Sequence, residues 1–146
     1  VASFIGSFEH NLDGKGRIFL PAKFRPPFQQ AGGILSKNYE GCIALWTPDS
    51  YEEFTRRFQS EQGGARERNL ERLWAASSYA VEIDPQGRLA IPSPLRDFAQ
   101  LTGPVLVVGV YSRVELWNPE LWRQRVEVFE SLLLERSEES PGGGTA

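Results

Sequence analysis

Shifted by 71 residues, the chain lies on itself without a gap. Asp13 falls on Asp84, Gly16 on Gly87, Arg17 on Arg88, Pro21 on Pro92 and Arg25 on Arg96. The same offset continues through Gly32 and Gly103, Leu35 and Leu106, Leu45-Trp46 and Leu116-Trp117, Pro48 and Pro119, and Phe58 and Phe129. Residues 7–58 against 78–129 share 13 identities in 52 positions, so the chain is an internal duplication. Any fold must therefore accommodate one pattern twice. A half of about 50 residues is marginal alone, so the two halves are expected to complete one core about a pseudo-twofold axis.

Each copy reads alike. An alternating strand comes first, with Phe8, His10 and Leu12 on one face, matched by Tyr79, Val81 and Ile83. An Asp-x-x-Gly turn follows, in which Gly16 or Gly87 supplies positive φ. A second strand alternates through Ile18 and Leu20, or Leu89 and Ile91, and ends at Pro21 or Pro92. "SPLRDFAQ" (93–100) is expected as a short helix capped by Ser93, and Pro26-Pro27 is expected to cut its counterpart to about one turn. Two more strands follow in each copy. Each leads into a helix announced by Thr47-Pro48-Asp49 or Asn118-Pro119-Glu120.

Tyr51, Phe54 and Phe58 share one face of the first of these helices, and Trp122, Val126, Phe129 and Leu133 one face of the second. Between the copies, "EQGG" (61–64) reads as a linker and residues 65–76 as a helix turning Leu70, Leu73 and Trp74 inward. The repeats span 7–54 and 78–121, and the Gly-rich segment 137–146 is expected to be disordered. The fold class is mainly β with short helices.

Charge needs to be read locally. The net charge of −3 is concentrated in residues 127–146, where five acids face one base. The remainder holds 15 bases and 14 acids, and residues 13–25 alone hold four bases (Lys15, Arg17, Lys23, Arg25) against Asp13. A basic face is thus compatible with an acidic protein. No apolar run is long enough for a membrane span, and no signal peptide is visible. The single cysteine, Cys42, cannot form an internal disulfide. A cytoplasmic protein follows as the expectation.

The turn itself explains Asp and Gly, since Asp accepts backbone N–H groups and Gly takes the left-handed position. It does not explain why Arg17 recurs as Arg88, or why Arg25 recurs as Arg96. Guanidinium groups donate paired hydrogen bonds that suit phosphates and guanine edges.

With these features the chain resembles the MraZ family of bacterial transcriptional regulators. The resemblance rests on "DGKGR" (13–17), "DPQGR" (84–88), their flanks "GSFEHNLDGKGRIFLPAKFR" and "VEIDPQGRLAIPSPLR", and the strand-Trp-x-Pro-helix ending of each copy. It implies two AbrB-like swapped-hairpin repeats in a double-split β-barrel, a ring-shaped homo-oligomer, and binding to short direct repeats in promoter DNA. The DNA would lie upstream of the family's own division and cell-wall gene cluster, placing the protein on the nucleoid. Lys15, Arg17, Lys23, Arg25, Arg88 and Arg96 are then the DNA-binding candidates, with Asp13, Gly16, Asp84 and Gly87 as supports.

Other chemistries find no footing. His10 and Cys42 are the only residues of their kinds and permit at most one Cys–His pair; His10 reads as a structural residue of its alternating strand, and metal-ligating residues do not cluster. The paired aspartates do not form an aspartic-protease dyad, because Arg17 and Arg88 would keep both ionised. "GKG" lacks the helix of a phosphate-binding loop. No catalytic residue, cofactor, small-molecule substrate or membrane partner is expected. The competing reading is a structural or interaction ring whose repeated arginines make ion pairs between subunits.

Overall fold

The computed structural model describes residues 3–59 and 63–145, with side chains to residue 136. Copy one forms β1 (Phe4–Asn11), β2 (Arg17–Phe19), α1 (Arg25–Ala31), β3 (Gly33–Lys37), β4 (Ile43–Trp46) and α2 (Pro48–Thr55). Helix α3 (Ala65–Ala76) follows. Copy two repeats the series as β5 (Tyr79–Val81), β6 (Arg88–Ala90), α4 (Ser93–Phe98), β7 (Pro104–Tyr111), β8 (Arg113–Trp117) and α5 (Pro119–Thr145). The first half of the expected linker and the side chains of the expected disordered segment 137–146 lie outside the described residues. No described helix is long and apolar enough to cross a membrane.

The strands form a mainly antiparallel sheet ordered β1-β7-β8-β4-β3-β5 and a separate ribbon, β2-β6. The first strand of each copy is exchanged: β1 pairs with β7 of copy two, and β5 pairs with β3 of copy one. With each strand replaced by its repeat counterpart, the order reads the same from either end. One continuous core results, in which Ile18, Leu20, Leu35 and Leu45 of copy one pack with Leu89, Ile91, Val105 and Leu116 of copy two. A smaller cluster of Ala44, Trp46 and Phe54, packed by Tyr51, Phe58 and Trp74, lies apart from this shared core.

The strand-end tryptophans pair with different polar groups. Trp46 donates its indole N–H to the buried Ser36 hydroxyl at 2.9 Å, and Trp117 donates to Glu115 Oε1 at 2.9 Å. The Glu115 carboxylate also accepts from Arg113 Nε at 2.9 Å and Asn38 Nδ2 at 3.1 Å, so this buried charge is compensated. Thr47 and Asn118 cap α2 and α5 as their sequence context predicts, accepting from Ser50 N and from Glu120 and Leu121 N.

Four local expectations need correction. The ungapped register slips by one residue in β3 and β7: the pairings β3-β5 and β1-β7 place Leu35 opposite Tyr79 and Val107 opposite Phe8. Leu35 therefore corresponds to buried Val107 rather than to the half-buried Leu106. A shorter β7-β8 turn restores the offset by β8.

Pro26-Pro27 also starts a helix instead of cutting one. Both prolines sit in the first turn of α1, where backbone N–H groups have no helical partner, and α1 is a seven-residue helix. Ser93 lies inside α4, which has no side-chain cap. Finally, α3 turns only Trp74 inward; Leu70 and Leu73 are 45% and 52% exposed.

Candidate nucleic-acid interface

Each Asp-x-x-Gly-Arg turn is held by its aspartate. Asp13 Oδ1 accepts from Lys15 N at 2.8 Å and Arg17 N at 2.9 Å, while Oδ2 accepts from Arg17 Nε at 2.8 Å. Asp84 does the same for Gln86 N, Arg88 N and Arg88 Nε at 2.9, 2.8 and 2.7 Å. Gly16 and Gly87 close the turns at φ 75° and 88°. Hydrogen bonds from Arg17 hold the Asp13 carboxyl down to about 2, and those from Arg88 lower Asp84 in the same direction.

The two turns are interlocked. Leu20 N donates to Gly87 O and Ile91 N to Gly16 O, each at 3.0 Å. The helix arginines cross in the same sense: Arg25 lies against Gly87, and Arg96 lies against Gly16. A Cβ on Gly16 would come within 2.8 Å of Arg96 Cζ, and one on Gly87 would overlap Arg25 more severely. Arg25 Nε donates to Leu20 O at 2.8 Å and Arg96 Nε to Ile91 O at 3.0 Å. The sequence grouped Arg17 with Arg25 and Arg88 with Arg96, whereas the fold places Arg96 beside the first turn and Arg25 beside the second.

All four guanidiniums are therefore anchored through Nε, and within the described residues their Nη atoms make no hydrogen bond. That leaves the forked end of each available, in a geometry already fixed. Ribbon β2-β6 pairs Arg17 with Ala90 and Phe19 with Arg88. Opposed residues share a face, so Arg17, Phe19, Arg88 and Ala90 form its outer side while Ile18 and Leu89 are buried beneath. Phe19, 45% exposed, was not among the sequence candidates. Its position between buried Ile18 and Leu20 was the available signal.

Lys15 is exposed at the first turn. Lys23 is drawn elsewhere: its Nζ lies 4.8 Å from the Phe8 ring centre and 5.7 Å from that of Phe24, beside Gly6 of β1. His10, half-buried, has its imidazole titration lowered first by burial and then by Arg25. Cys42 is buried, with its thiol pushed up by burial and donating to Tyr39 O at 3.5 Å.

The family model described as "MraZ protein, putative antitoxin-like" matches residues 3–73 and 75–140. The chain belongs to the MraZ family. "Transcriptional regulator MraZ" of Nocardioides sp. is 38% identical over 123 residues, covering 84% of this chain and 85% of that one. The proteins of the same name from Thermomicrobium roseum and Mycoplasmoides gallisepticum are 36% and 35% identical over 127 and 122 residues. These cover 86% and 83% of this chain, and 89% and 85% of theirs. Each matched MraZ segment contains one of the interlocked turns.

The lowered aspartates give the MraZ turns a defined acid response. A carboxyl that titrates lower when folded stabilises the fold fully above the ordinary carboxylate range, and that contribution disappears as pH falls toward about 2. Melting temperature should consequently fall between about pH 4 and pH 2. Asp13→Asn should flatten part of that fall, as measured by thermal denaturation across the range. An identical slope in the variant would deny Asp13 this role.

Proposed function

We propose that the chain is a DNA-binding transcriptional regulator that places the outer face of ribbon β2-β6 against double-stranded DNA. The observation that carries this reading is the set of arginines anchored at Nε with their forked ends open. Arg17 and Arg88 lie on the ribbon and Arg96 and Arg25 beside its turns. Such ends fit phosphate oxygens or guanine O6 and N7, and a two-stranded ribbon fits the width of a major groove. Phe19, between the ribbon arginines, offers an apolar contact of the kind a thymine methyl accepts. Asp13 and Asp84 orient their arginines without touching DNA.

The exchanged strands and reciprocal turn contacts support a double-split barrel with pseudo-twofold symmetry, built from AbrB-like repeats over 7–54 and 78–121. Self-association into a ring would present several such faces to short direct repeats upstream of the gene, and avidity would raise affinity without new contacts. Repression of its own division and cell-wall cluster, from a cytoplasmic and nucleoid-associated location, completes the proposal.

Affinity for the upstream DNA should be specific and fall steeply with salt. Each phosphate neutralised adds about −0.9 to the slope of log K against log salt. Titration at several salt concentrations, with random DNA as competitor, tests this. Equal affinity for both DNAs, or a flat salt response, would favour a purely structural ring in which the arginines pair with neighbouring subunits.

A further inference from the structure

The duplication supplies an internal comparison at the ribbon itself. Replacing each residue by its repeat counterpart turns the pair Arg17–Ala90 into Arg88–Phe19 and leaves Ile18–Leu89 in the middle. The same replacement exchanges Arg96, beside the first turn, with Arg25, beside the second. The four guanidiniums and the groups that hold their Nε atoms are therefore matched at the two ends of the ribbon. A ribbon with only these groups would be unchanged by exchange of its ends. It could not tell one direction along a duplex from the other.

Two substitutions set the ends apart. The end at the Asp13 turn carries Lys15 and Ala90, and the end at the Asp84 turn carries Gln86 and Phe19. Lys15 is a flexible charge suited to phosphates, which recur along the backbone whatever the sequence. It adds affinity in either direction alike. Phe19 is different in kind, because an apolar side chain on the outer face meets base edges. The fold does not demand it: its counterpart is Ala90, and no described hydrophobic cluster includes the Phe19 ring. It is nonetheless held in place. Ile18 and Leu20 on either side are buried, and Arg88 opposite donates to Asp84 Oδ2 at 2.7 Å.

We infer that Phe19 sets the direction in which the ribbon lies along the DNA, by packing on a thymine methyl beside the base that Arg88 reads. The inference rests on the DNA-binding reading above and adds a polarity to it. The Asp84 end lies over the thymine, and the Asp13 end lies over a base from which Ala90 gains no such contact.

The test marks one end of the ribbon. Gly14, in the Asp13 turn, has open space at its Cβ position, so Gly14→Cys can carry a DNA-cleaving chelate on a short tether. Cys42 is buried and escapes labelling. The probe is a duplex carrying a single copy of the shortest upstream element that the full chain binds. The labelled chain should cut predominantly at one flank of the element. With Phe19→Ala added, both ends carry alanine and the two flanks should be cut about equally. Phe19 is exposed, so melting temperature should change little.

As a second measurement, each thymine of the element is replaced in turn by uracil, which removes only the methyl group. One replacement should weaken wild-type binding about fourfold, the worth of one buried methyl-sized group, and leave Phe19→Ala binding unchanged. Equal cutting of both flanks by the labelled chain would overturn the inference. So would a one-sided pattern that survives Phe19→Ala, or the lack of any thymine methyl felt only by the wild type. Each of these leaves specific, salt-sensitive binding intact. Failure of the unlabelled chain to prefer upstream DNA over random DNA would overturn the DNA reading and this inference together.

Discussion

Gly87→Ala should lower the melting temperature by about 10 °C, while Gly14→Ala leaves it nearly unchanged. Gly87 is buried at φ 88°, where an L side chain costs about 1–2 kcal/mol. Its new Cβ would also occupy the space of the Arg25 guanidinium. Arg25 is flexible enough to swing away, but only by giving up its 2.8 Å bond to Leu20 O, a charged hydrogen bond worth about 1.5–3 kcal/mol. The combined loss of roughly 2.5–5 kcal/mol gives the stated shift for a chain of this size. Gly14 has open space around its Cβ position and no positive φ, so its substitution controls for a change in turn composition. Thermal denaturation of both variants decides the matter. Equal melting temperatures would mean that the crossed arginine contributes nothing to the lock.

The largest expected effect on binding is that of Arg17→Ala. A lost arginine contact costs roughly 1–3 kcal/mol, or about 5- to 150-fold in affinity, compounded where several subunits engage one DNA. The fold should survive, because Asp13 keeps its backbone bonds to Lys15 and Arg17 and the lost ion pair is partly exposed. Arg88→Ala should cost less. Sequence order assigned four cations to the first copy and two to the second. The crossing changes this to Lys15, Arg17 and Arg96 at the first turn against Arg88 and Arg25 at the second, with Lys23 committed to aromatic rings. The remaining asymmetry rests on Lys15, which stands where copy two has Gln86. Titrating both alanine variants and their Lys15→Gln combinations on one upstream fragment should show the gap narrowing when Lys15 is removed. A larger loss for a correctly assembled Arg88→Ala would reverse the ranking.

The features legible in the sequence are those fixed within a few residues. Asp13 to Arg17 closes its own turn, and Thr47 and Asn118 cap the helices beside them. The offset of 71 also announced two equivalent halves. What alternation could not disclose is which copy a strand joins. Phe8, His10 and Leu12 would face a core equally well beside β3 or β7, and the choice of β7 sends Arg25 and Arg96 to the opposite turns. The Leu35–Leu106 identity misled because a one-residue slip in one strand is absorbed by a shorter turn. Lys23 looked free because its partner, Phe8, is a strand away. Leu70 and Leu73 looked inward because helical periodicity marks an apolar face without saying whether this chain covers it.

The exchange of β1 and β5 also governs when the protein can fold. Phe4 sits opposite Tyr111 and Asn11 opposite Pro104, so β1 leaves the ribosome long before its partner is made. High contact order slows folding, and a waiting strand with open hydrogen-bonding edges is exposed to pairing with neighbouring chains. The first repeat must remain unsatisfied through much of synthesis, its β3 edge open until β5 emerges and its β1 unpaired until β7 follows. On polysomes, where nascent copies lie close together, the pairing within one chain competes with the same pairing between chains. The tether between the repeats is what makes the internal partner the more concentrated one.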